Sequence, residues 1–271
     1  MKKKEHRARL VALAGCVLLF RSPVMIVGAS GRRSAYWRTS DACAERLQQL
    51  RTALWLTAGI NNADVGSMVG RFPRLLAGDI SIAVPLKLSA LQEGMPGIDL
   101  KRLVEAMPQL LSLDPETSVI ARAYALLELL PRRDVLRMCE LHPQLLTVDT
   151  ERVVMPAYNA LRAELASYGL RGAIAAQVAE KTPRLLTTTP ATIAARLALL
   201  ERISPGTIVS LQKRPSSLAR LMCASERALM RIQFLREVDP SAELNPLSAV
   251  CLSNAEFKRR YPQFESWNAA E

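Results

Sequence analysis

Aromatic residues make up only 5% of this chain, and histidine occurs just twice, at His6 and His142. Hydrophobic residues nevertheless reach 49%, so the apolar content is mainly Leu, Ala, Val and Ile. That mixture favours packed helices over sheets. The scarcity of histidine removes the usual general bases and metal ligands, leaving no plausible Ser/His/Asp or Cys/His set. His142, beside a proline, reads instead as the end of a helix, where a cation would suit the local dipole. The five cysteines (Cys16, Cys43, Cys139, Cys223, Cys251) have no ligand spacing and read as buried thiols of a reducing compartment. A Gly-rich phosphate loop is also missing, because Gly66-Ser67-Met68-Val69-Gly70 lacks the lysine and the spacing. Trp55 and Trp267 read as packing or edge residues. The expectation is a protein that is not an enzyme and carries no cofactor or metal.

No apolar run is long enough to span a bilayer. The longest stretch, Leu10 to Phe20, holds eleven residues and is interrupted by Arg21, Ser22 and Pro23. Residues 1–40 contain nine Lys/Arg against the single acid Glu5, so most of the net charge of +11 sits there and only +3 is left for residues 41–271. An acid-poor, Arg- and Ser-rich start of this kind reads as a targeting leader, disordered or cleaved, with no membrane contact in the mature protein. A transit sequence for a mitochondrion or chloroplast fits. So does a secretory signal, by its basic start, apolar stretch and small residues near Gly28-Ala29-Ser30, and the two combine in a bipartite leader. Secretion alone fits poorly with unpaired cysteines.

The body is punctuated by proline followed by leucine. The runs are Phe72-Pro73-Arg74-Leu75-Leu76, Met107-Pro108-Gln109-Leu110-Leu111, His142-Pro143-Gln144-Leu145-Leu146, Thr182-Pro183-Arg184-Leu185-Leu186 and Arg214-Pro215-Ser216-Ser217-Leu218, with prolines 35, 35, 40 and 32 residues apart. A drifting period of that size marks a repeat array whose units bury their apolar faces on one another. Between elbows, Asp114-Pro115-Glu116 reads as a helix start. Val119, Ala123, Leu126, Leu127 and Leu130 then recur at helical spacing, and Pro131 stops the helix. A shorter helix through Val135, Met138 and Cys139 ends at His142-Pro143. Asp149-Thr150-Glu151 opens the next unit, with Gly169 as a left-handed cap. Thr189-Pro190 opens another, whose short helix starts at Ser204-Pro205. Each unit thus reads as a long helix, a corner, a shorter helix and an elbow whose proline cannot continue the helix.

These elbows, the 30–40 residue step, the Tyr168-Gly169-Leu170 corner and the tail from Leu252 to Tyr261 resemble the mitochondrial transcription termination factor (mTERF) family over about residues 45–262. A stricter 35-residue beat would have suited pentatricopeptide repeats. The resemblance implies an all-α solenoid of triple-helical repeats, two α-helices plus a short 3₁₀ element at each elbow, wound into a left-handed superhelix. It divides the chain into the leader at 1–40, the array at 41–262 and a C-terminal tail at 263–271. It further implies organellar binding of DNA or RNA on a basic concave surface, in transcription initiation or termination, RNA processing or ribosome assembly.

Charge locates the expected contact. Residues 181–236 carry ten basic and two acidic residues, whereas residues 41–180 sum to −2. Arg184, Arg196, Lys213, Arg214, Arg220 and Arg227 are the expected phosphate contacts, because clustered cations release counterions from a polyanion. The alternative is a protein-contacting scaffold, such as a component of an organellar ribosome or of the transcription apparatus, which the near-neutral first half would suit.

Overall fold

The computed structural model describes residues 40–131, 133–238 and 246–270, and the leader at 1–39 lies outside them. Among the described residues all regular structure is helical. The chain divides into two compact units between residues 121 and 122. The first contains α1 (Ser40–Ala58), α2 (Val65–Arg71) and a 3₁₀ elbow (Pro73–Leu76), then α3 (Ile80–Gly94), α4 (Leu100–Ala106) and a second elbow (Pro108–Ser112), and closes on a π turn (Pro115–Ile120). The second opens with α5 (Ala121–Leu129), α6 (Val135–Leu141) and an elbow (Pro143–Leu146). A π turn (Thr150–Val154), α7 (Met155–Ser167), α8 (Gly172–Lys181) and an elbow (Pro183–Thr187) follow. Then come α9 (Pro190–Ile203), α10 (Thr207–Ser210), α11 (Pro215–Cys223), α12 (Glu226–Val238), α13 (Pro246–Cys251), α14 (Asn254–Arg260) and α15 (Phe264–Ala270).

One backbone geometry recurs at four elbows. The residue before each proline (Phe72, Met107, His142, Thr182) has φ between −138° and −143° and ψ between 76° and 79°. Proline forces this exit from the helical region by its clash with the preceding residue. Each of these residues still donates its N–H to the carbonyl four back, and its own carbonyl accepts from the first elbow leucine at 3.1 Å. Leu75, Leu76, Leu110, Leu111, Leu145, Leu146, Leu185 and Leu186 are consequently all buried. Within each unit neighbouring elbows pack on one another, as α1 packs on α3 and α7 on α8 and α9.

Aspartates start the helices on a second beat. Asp64, Asp99 and Asp134 cap the short helices α2, α4 and α6, and Asp79, Asp114 and Asp149 cap the long elements, each accepting from the N–H three residues on. The steps alternate between 15 and 20 residues. This spacing is plain in the sequence, yet the proline-based reading picked out only Asp114 and Asp149. Thr189 takes over at α9, accepting from Thr192 N–H at 3.2 Å.

A third recurring device was not expected. A cation on the long helix reaches the carbonyls that end its own unit: Arg46 donates to Leu76 and Gly78, Lys87 to Leu111, Arg122 to Leu146 and Arg196 to Met222 and Ala224, all at 2.7–3.1 Å. These charge-assisted bonds satisfy backbone acceptors that a turn would otherwise leave open.

Several expectations need correction. Leu127, read as part of the apolar stripe, is 40% exposed, because Val119, Ala123, Leu126 and Leu130 already form the buried line at helical steps and Leu127 falls at its edge. Pro215 does not begin a 3₁₀ elbow; without the second leucine it is the first residue of α11, a nine-residue α-helix. The C-terminal tail begins at 263. It holds α15, whose Phe264 is buried and whose Trp267 stacks on it at 6.0 Å. Three of the five phenylalanines (Phe234, Phe257, Phe264) gather here with Tyr261 and Trp267, a small aromatic core that covers the last repeat. Its helix α14 is set by a capping box between Ser253 and Glu256. Among the described residues no helix is long and apolar enough to cross a membrane.

Candidate nucleic-acid interface

The six expected contacts divide by what their side chains already touch. Arg184 is the exposed second residue of its elbow, held there because its neighbours on either side, Pro183 and Leu185, are buried. Lys213 and Arg214 lie exposed in the turn before α11, and Arg214 is its N-cap. Among the described residues these three make no side-chain hydrogen bond or ion pair. Arg220 is exposed on α11 and donates only to Cys251 Sγ, at 3.2 Å. Arg196 is half-buried and occupied by the α11 carbonyls. Arg227 forms an ion pair with Glu265. The first four therefore keep their charge available, and the last two have work within the fold.

Other members of the basic block fare the same way. Arg231 is 2% exposed, donates to Leu252 O at 2.7 Å and to Asn254 Oδ1, and lies 4.6 Å over the Phe257 ring. It organises the C-terminal helices and is no surface charge. Burial holds its guanidinium below the ordinary arginine value, and Arg227 adds to this. Arg236 donates to Ile203 O at 3.0 Å. Lys181, by contrast, is exposed, with Glu180 at 3.7 Å; Glu180 also binds Arg133 at 3.0 Å.

Lys181 and Arg220 face one cleft of about 440 Å³, completed by Thr182, Ser216, Cys223, Ala224, Val250 and Cys251. No carboxylate lines it. The end of α8 supplies Lys181 and Thr182, one face of α11 supplies Ser216, Arg220 and Cys223, and α13 supplies Val250 and Cys251. Arg184 belongs to the same neighbourhood, since its charge acts on Cys223. Burial raises the Cys223 thiol, and Arg184 and Arg196 pull it back. A second groove, of about 500 Å³ beside α9 and α12, mixes Arg196 and Arg202 with Glu226, so its charge is less one-sided.

His142 corrects an expectation. It ends α6 as foreseen, but it does not serve as a cation there: burial, then the charge of Arg184, hold its imidazole below the ordinary value. Its Nε2 meets Thr187 Oγ1 at 2.9 Å, joining two successive elbows. Among the described residues no cluster of His, Cys, Asp and Glu could hold a metal ion.

The sequence model of the mTERF family matches residues 44–166, from the first turns of α1 to the end of α7. No curated protein and no solved structure matches the chain. The matched stretch contains the elbows at Pro73, Pro108 and Pro143, and the same backbone geometry recurs beyond it at Thr182. Over residues 44–166 the chain is thus similar to the mTERF family, and the elbows and aspartate caps there recur every 35 residues.

Proposed function

We propose that this protein is an organellar nucleic-acid-binding regulator of gene expression that holds a phosphate backbone on the second unit. The carrying observation is the set Arg184, Lys213, Arg214 and Arg220, four exposed cations without a carboxylate partner among the described residues, three of them within a span of eight positions. The match of residues 44–166 to the mTERF family model supports the same reading. Such cations neutralise phosphates and release counterions without reading bases, so affinity should be broad in sequence and steep in salt. The acid-poor leader supports delivery to a chloroplast or mitochondrion, which a fluorescent fusion of residues 1–40 tests directly.

A second reading has its own observation. In the first unit Trp55, Leu56, Ile82 and Leu86 are 56–69% exposed, an apolar surface suited to protein contact. It favours a scaffold within a larger assembly such as an organellar ribosome. Filter binding to random duplex and to random single strands separates the two. Affinity in the micromolar range or tighter that disappears with salt supports the first reading, and no retention at low salt supports the second.

A further inference from the structure

We propose that the cleft lined by Lys181, Arg220, Cys223 and Cys251 is a thiol-modification site for anionic low-molecular-weight disulfides, with Cys251 as the reacting thiol. The claim that modification regulates nucleic-acid binding rests on the function proposed above; the claim about the site does not. Four observations meet here. Cys251 is exposed, while Cys139 is buried and its thiol is pushed up to about 12. Arg220 donates to Cys251 Sγ and fixes its direction into the cleft. Two cations and two hydroxyls, with no lining carboxylate, suit a ligand bearing carboxylates. Cys223 lines the same cleft, so a second thiol faces the adduct.

Glutathione disulfide represents the ligand class. Cys251 gives up its proton and its sulfur attacks one sulfur of the disulfide. That S–S bond breaks, a Cys251–glutathione disulfide forms, and the departing glutathione thiolate takes up the proton. The incoming disulfide is itself the oxidant. Its carboxylates, seated on Lys181 and Arg220, then neutralise charge that would otherwise meet phosphate, and a reducing thiol reverses the step.

The test uses the full chain, freed of reductant, and compares glutathione disulfide with the cationic disulfide cystamine by mass-spectrometric peptide mapping. The expected result is that Cys251 is labelled first, and several-fold faster by glutathione disulfide at low salt. The difference should shrink with added salt and in Lys181→Gln. A lasting mixed disulfide and its onward conversion to a Cys223–Cys251 disulfide both support the site, since each begins at Cys251. Earlier labelling of another cysteine, or equal rates with the two reagents, overturns it. For regulation, the adduct should weaken duplex binding several-fold and dithiothreitol should restore it, with no change in Cys251→Ser. A formed adduct with unaltered affinity sinks the regulatory claim alone. A chain that binds no nucleic acid sinks the function reading and leaves the labelling result to decide the site.

Discussion

Arg196 and Arg220 are both cations of the same basic stretch, yet they answer to different physics. Arg196 supplies two carbonyls at the end of α11, and removing it leaves acceptors without their donor. Arg196→Ala should therefore cost about 1–3 kcal/mol of stability, measured by urea unfolding. Arg220→Gln should leave the unfolding midpoint in place and flatten the salt dependence of nucleic-acid binding by about one phosphate. A pH effect belongs to this scale as well. The folded state lowers the proton affinity of His142 below its ordinary value of 6.5, so the unfolded chain binds the extra proton more readily. Stability from this group is complete above that value and declines as pH falls below it. Unfolding of the wild type and of His142→Asn compared between pH 7.5 and 5 should show the difference, with a shallower decline in the variant.

Helix by helix, the repeat rests on small polar and apolar devices in fixed order. Asp99→Ala removes the cap of α4 and should cost about 0.5–2 kcal/mol. Leu145→Ala, at a fully buried elbow position, should cost about 2–5 kcal/mol, and thermal denaturation checks both. Gly94→Ala should also destabilise despite alanine's better helix propensity, because its methyl would overlap the Ile120 side chain. The proline–leucine elbows were legible in the sequence because proline acts locally and leucine announces burial. The aspartate beat was equally present and was passed over at Asp64, Asp79, Asp99 and Asp134. The cation clamps were not legible: Arg46, Lys87, Arg122 and Arg196 look like any charged residue on a helix, and their partners lie 24–32 residues away. The exposure of Leu127 was hidden for a related reason, since a leucine at the edge of a helical stripe looks the same in sequence as one at its centre.

For the whole molecule, net charge is a poor guide and its distribution a better one. The leader holds most of the +11, and structural roles absorb Arg196, Arg227, Arg231 and Arg236 from the block that looked most cationic. What is left for a polyanion is a smaller set on the second unit, so the salt dependence should be moderate. Four contacts on B-form DNA correspond to a slope of about −3.6 in log affinity against log salt. The deciding measurement is that slope for the wild type and for a variant with Arg184, Lys213, Arg214 and Arg220 all changed to Gln, with unfolding curves confirming that the fold is retained. The account predicts a slope near −3.6 that collapses toward zero in the variant. An unchanged slope in the variant, or no binding by the wild type at low salt, would contradict it.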